Sequence, residues 1–207
     1  MSEPSIQTAG RMSSRTRTHR LTVTAMLSAV ATILMFVDFS VPFMPSFIKL
    51  DVSELPALLA SFSLGPAYGV AVCLIKNLIN CLRTTTGCVG EFCNFLLGAI
   101  FVFCAGFIYQ RFRHHKSRRG ALVGSLTGAA AMALLSVPVN YFITYPIYEK
   151  FMPVEAIVGM YQAINPSVNG LLACLVTFNL PFTFIKGLLD VGLCFLIYKP
   201  LSPLLHK

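Results

Sequence analysis

The residues of this chain that could do chemistry are amides, hydroxyls and a few charges set among apolar neighbours. Lys76, Asn80 and Arg83 follow one another at spacings of four and three, so a helix would carry all three on one face. Glu91 and Asn94 are three apart, as are Thr183 and Lys186, and Asn140 is followed by Tyr141, Tyr145 and Tyr148. Such groups hydrogen-bond; they do not form a nucleophile with its base or a metal-ligand set. There is no His-Glu-x-x-His pair, no acidic calcium loop and no Gly-x-x-x-x-Gly-Lys-Ser/Thr phosphate loop. Of the four histidines, His19, His114 and His115 lie in basic segments and His206 is nearly terminal. The pattern points to binding without bond-breaking, in a chain that is not an enzyme and has no ATPase of its own.

The elements that must position these groups are membrane helices. Hydrophobic residues make up 56% of the 207 residues and charged residues 12%, about half the charge of a soluble domain. Mean hydropathy is +0.73. The expected fold is an all-α integral membrane protein with six transmembrane helices: 21–39, a short second helix 54–64, 66–82, 91–110, 121–147 and 181–199. The last start is set by Pro181, since proline suits a first helical turn, which leaves 149–180 as a long outer segment. The domain plan is a basic tail 1–19, a membrane domain 20–200 and a tail 201–207. The first apolar run has no clear cleavage site after it, so it reads as an uncleaved span.

A net charge of +8 could suggest nucleic acid, but its distribution argues for topology instead. Four Arg lie in 11–20 and five Lys or Arg in 111–119, with Lys199 and Lys207 at the end. Basic segments stay cytoplasmic, which puts both termini inside and these surfaces near anionic lipid. Segments 40–53, 83–90 and 149–180 are then outer. The seven cysteines form no Cys-x-x-Cys pair; they read as small apolar fillers, with a disulfide among Cys81, Cys88 and Cys93 as the other reading.

On this plan Lys76, Glu91, Asn94, Asn140 and Lys186 all lie roughly 0–11 Å below the outer surface, at ~1.5 Å per residue. Four helices then place polar groups in one layer near Phe92, Phe95, Tyr141 and Phe182, the make-up of a small-molecule pocket. The alternative is that Lys76 and Arg83 snorkel, and that Lys186 pairs with Asp190 four residues on. At the mouth, Ser53 is expected to cap the short helix by accepting the Leu55 N–H, and Glu54 to sit on the positive end of its dipole. Asp51 then has no capping role, and is either solvated or in contact within the outer mouth. Gly120, Gly124 and Gly128 at four-residue spacing read as close helix packing, and Ala25 and Ala29 form a second such patch.

Three stretches together, "LDVSELPALLASFSLGPAYGVAVCLIKNLINCL", "GEFCNFLLG" and "PFTFIKG", resemble the riboflavin-specific S components of energy-coupling factor (ECF) transporters, over about residues 20–200. The resemblance implies a vitamin-capturing subunit in a prokaryotic plasma membrane. Its partners would be a transmembrane T component and two ATPase subunits, with riboflavin as cargo and no cofactor. It places Leu50 and Asp51 in an outer loop that closes over the vitamin and Glu91 and Asn94 near the flavin rings. Asn140, Thr183 and Lys186 would be further contacts, Thr183 standing where an asparagine is expected. Ala25 and Ala29 would dock on the T component. Flavin mononucleotide, another vitamin or a modified base are the alternative cargoes. An ion-coupled carrier is disfavoured because only one short span is visible.

Overall fold

The computed structural model describes residues 14–45, 48–84, 87–112, 118–150 and 152–205, without side-chain placement for 198–205. Most of the basic tail 1–19, the centre of the basic loop with His114 and His115, and Lys207 fall outside these residues.

The described chain is almost wholly helical. Helix α1 spans Ser14–Phe36, α2 Glu54–Ser63, α3 Pro66–Asn80, α4 Val89–Arg111 and α5 Arg118–Val139. Then come α6 (Tyr145–Tyr148), α7 (Val154–Gln162), α8 (Leu171–Cys174) and α9 (Leu180–Leu205). Among the described residues, four helical stretches are long and apolar enough to cross a membrane: Ser14–Phe36, Val89–Arg111, Arg118–Tyr148 and Leu171–Ile197. Their outward faces are oily, with Met26, Ile33, Phe107, Leu134 and Leu196 exposed, as helix faces against lipid require.

The short α2 lies at the centre. Every residue from Glu54 to Phe62 is buried, because α1, α3, α4 and α9 all pack against it. An all-round apolar helix is stable only when enclosed in this way. Ser61 ties it to α4 by donating to the Val102 carbonyl at 2.6 Å. Gly65, at φ 124°, lets the chain turn from α2 straight into Pro66 at the head of α3. The glycine series packs within the bundle. A Cβ on Gly124 or Gly128 would come within 2.6 Å of the Ala105 or Phe101 carbonyl oxygen, so α5 and α4 touch backbone to backbone. Ala25 and Ala29 instead face outward on α1, while Ser28 and Thr32 turn inward.

The last helix differs from expectation. It begins at Leu171 and runs through Pro181, so the segment between α6 and the last helix is shorter than the expected 149–180 and contains α7. The proline does not start the helix because a wide π turn, Leu175–Asn179, precedes it. A matching π turn, Asn140–Thr144, joins α5 to α6 just after Pro138. A proline cannot make its own ladder bond, and a π turn re-registers the bonds around the gap. The seven cysteines are free; Cys88 Sγ lies 3.9 Å from the Cys81 carbonyl oxygen.

Candidate functional site

A cavity of about 750 Å³, counting its open mouth, lies where α4, α5, the two π turns and α9 meet the loop before α2. Asn94, Asn140, Thr183 and Lys186 line it, with Leu97, Met132, Phe182 and Tyr148 as apolar wall. Four of the expected site residues therefore converge from α4, the first π turn and α9.

The loop before α2 closes over this space and is held by charge. A two-residue antiparallel ladder pairs Phe39 with Leu50 and Ser40 with Lys49, and Lys49 pairs with Asp38 at 2.8 Å. Beyond the ladder, Asp51 meets Lys186 Nζ at 2.8 Å. Its other oxygen accepts the Ser53 N–H at 2.9 Å and the Ser53 hydroxyl. Burial alone would push the Asp51 carboxyl up, but the Lys186 and Lys76 ammonium groups outweigh it. The carboxyl is held well below the usual carboxylate range. Asp51 is thus neither solvated nor idle.

Behind the first pair lies a second. Lys76, at 0% exposure, meets Glu54 at 2.7 Å and donates to the Ser53 hydroxyl at 2.5 Å. Ser53 therefore makes no cap; its hydroxyl bridges two ion pairs. Glu54, expected to serve the helix dipole, is the buried partner of Lys76 and also borders the cavity. Local spacing could not show this, because the partners are brought together by packing of α2 on α3.

Several expectations are corrected by position. Lys76 does not line the cavity and does not snorkel. Its presumed face-mates diverge, Asn80 donating to Glu91 at 3.3 Å and Arg83 stacking over the Phe36 ring at 4.5 Å. Glu91 also accepts from Thr84 at 3.0 Å, so it braces the α3–α4 turn and is not a lining residue. Tyr141 is exposed and lies edge-on to Phe142; Tyr145 and Tyr148 take the cavity side. Leu50 is half-buried in the ladder, next to Asp51. Lys186 does not pair with Asp190. It donates to Asp51 and, at 3.4 Å, to Asn94, while both Asp190 carboxyl oxygens are buried without a hydrogen-bond partner. An i,i+4 relation permits a pair, but the loop carboxylate captured the lysine.

The cavity also holds residues the sequence reading missed: Thr144 and Asn179. Asn179 lies four residues before Thr183 and seven before Lys186, on their helix face. That signal was hidden by starting the helix at Pro181. Among the described residues there is no metal-binding cluster.

Comparison with known proteins identifies the family. A family described as "ECF transporter, substrate-specific component" matches residues 19–198. The chain is 35% identical over 189 residues to the riboflavin transporter RibU of Staphylococcus aureus, covering 91% of this chain and 93% of that one. It is 32% identical over 191 residues to the riboflavin transporter FmnP of Bacillus subtilis, covering 91% and 94%. A solved S component of a bacterial ECF transporter superposes with a TM-score of 0.70 at 32% identity, over 92% of this chain and 99% of that one.

Proposed function

The chain belongs to the substrate-specific components of ECF transporters, and from that premise we propose that it captures riboflavin from outside the cell and delivers it inward with an ATP-driven energising module. The observation that carries the reading is the Lys186–Asp51 pair at 2.8 Å. It joins the outer loop to a cavity-lining lysine, so opening or closing the loop and filling the cavity are linked.

The chemistry of the cavity suits a flavin. The ring system is flat and apolar with a hydrogen-bonding edge, which Leu97, Met132, Phe182 and Tyr148 can wall. Asn94, Asn140, Thr183 and Lys186 supply partners for the edge and the ribityl hydroxyls. Leu50 and Asp51 form the lid in this reading. Lys76 and Glu91 act from behind, as braces for the loop and for α4, and Tyr141 faces lipid. Lys49 at the rim and Lys186 within would also tolerate the phosphate of flavin mononucleotide. The vitamin is cargo; no bond in it changes.

The topology proposed is six membrane helices, four long ones with α2 and α3 between them, and both termini cytoplasmic, in the plasma membrane of a prokaryote. Power comes from a transmembrane T component and two ATPase subunits. Ala25 and Ala29, exposed beside Met26, Val30 and Ile33, form the docking face for the T component.

The test is to purify the chain alone in detergent and titrate riboflavin, following loss of flavin fluorescence; the protein has no tryptophan to obscure it. Saturable quenching at or below micromolar riboflavin is expected, and its absence in ligand-free protein sinks the assignment. Ala25→Trp or Ala29→Trp should leave that titration unchanged and stop uptake in cells; normal uptake removes the docking role.

A further inference from the structure

Three side chains from three elements meet beside the cavity. Tyr161 on α7 donates its hydroxyl to Asn179 Oδ1 at 2.7 Å. Its oxygen lies 2.8 Å from the hydroxyl of Tyr145 on α6. With the Tyr161 hydrogen spent on Asn179, Tyr145 must be the donor of that second bond. Tyr161 is fully buried and its ring packs on Phe178, the residue before Asn179, at 5.3 Å. Tyr145 and Asn179 line the cavity and Tyr161 does not.

This is an unusual way to satisfy a buried asparagine in a helix. Asn77 and Asn140 each donate their amide nitrogen to the carbonyl one turn back, at 2.8 Å to Cys73 and Ser136. Those side chains keep the acceptor for other partners. Asn179 is held the other way, by its oxygen and from outside its own helix. Asn179 lines the cavity, and with its oxygen engaged the group it can offer a ligand there is its amide N–H. Its place at the end of a π turn brings it onto the cavity side, a common use of such turns.

We propose that Asn179 is a ligand-binding residue, donating its amide N–H to an acceptor oxygen or nitrogen of the bound flavin, and that Tyr161 is the positioning residue that fixes its orientation. The inference rests on the riboflavin reading above. It adds a donor to a cavity where Asn140 offers an acceptor, its oxygen held only by the weak Cys93 thiol donor at 3.5 Å, so the two π turns present opposite hydrogen-bonding senses to one ligand. An imide-like edge, with carbonyls beside an N–H, is the chemical class that such a pair discriminates. Tyr161 itself never touches the ligand, so its effect must pass through Asn179.

The experiment is a riboflavin titration of the full chain in detergent for Asn179→Ala, Asn179→Asp, Tyr161→Phe and the double variants, with the thermal midpoint of each ligand-free protein. Asn179→Ala should weaken binding about tenfold and Tyr161→Phe about threefold, the scale of one hydrogen bond and of losing its alignment. In an Asn179→Ala background, Tyr161→Phe should cost nothing more. Asn179→Asp keeps an oxygen for Tyr161 and loses the donor, so it should weaken binding as well, and it carries the cycle if the alanine variant does not fold. The proposal is overturned if the Asn179 variants bind within twofold of the wild type. It is equally overturned if Tyr161→Phe costs the same with and without Asn179. A wild-type chain that does not bind riboflavin would instead bring down the assignment beneath it.

Discussion

On the loop side of the cavity the polar groups are ions paired across long stretches of chain: Asp51 with Lys186, and Glu54 with Lys76. On the side of the two π turns, α6 and α7 they are neutral: Asn140, Tyr145, Tyr161 and Asn179. The first wall is anchored by charge that is costly to leave unmatched. The second is shaped by two π turns and a chain of hydroxyls. The difference suggests a division of work, with the charged wall closing the site and the neutral wall reading the ligand.

The sharpest way to break this contrast is to remove one ion of the hidden pair. Lys76→Met leaves Glu54 buried without its cation, and about 3–5 kcal/mol of stability should be lost. Thermal unfolding in detergent would register it, and Glu54→Leu with Lys76→Met should recover most of the loss. If the single variant unfolds like the wild type, the pair is not structural.

Asp51→Asn comes next. It keeps the shape and a partner for Ser53 but loses the charge opposite Lys186. Riboflavin should be held about thirtyfold less tightly, ~2 kcal/mol, mostly through faster release. Stopped-flow release rates would show it; an unchanged rate would mean that the loop is not held by this pair.

A third effect is one of pH. Because the folded-state pKa of Asp51 is depressed, its contribution is present above the ordinary carboxylate value near ~3.9 and is lost only as pH falls through the lower, folded value. The closing link should therefore be insensitive to pH between about 5 and 8. A release rate that rises steadily from pH 8 to 5 would contradict this.

The smallest change belongs to the neutral wall. Asn140→Ala removes an acceptor and should cost about 1 kcal/mol of binding, roughly fivefold in Kd, with little change in thermal midpoint. A loss as large as that of Asp51→Asn would erase the contrast between the walls.

Much of this protein is legible in its residues taken in order. Long apolar runs specify membrane helices because a bilayer demands about 20 apolar residues per crossing. Gly124 and Gly128 announce close packing, since four-residue spacing puts small residues on one face. Asn94, Asn140, Thr183 and Lys186 are visible as polar exceptions at one depth, and they do meet at the cavity. These are statements about local spacing and hydropathy, which a linear chain carries.

Tertiary structure alone decided which polar group meets which. Lys186 had a carboxylate four residues away in Asp190 and took one 135 residues away in Asp51, because the loop before α2 is folded against it. Glu54 reads as a helix-end charge until α3 is laid beside α2 and supplies Lys76. Asn179 was hidden because Pro181 looks like a helix start. A π turn carries the helix through it, and a tyrosine from another element takes the amide oxygen. Burial removes water as a partner for these groups, so each must take whichever partner the packing brings within reach, and that choice is not encoded in spacing along the chain.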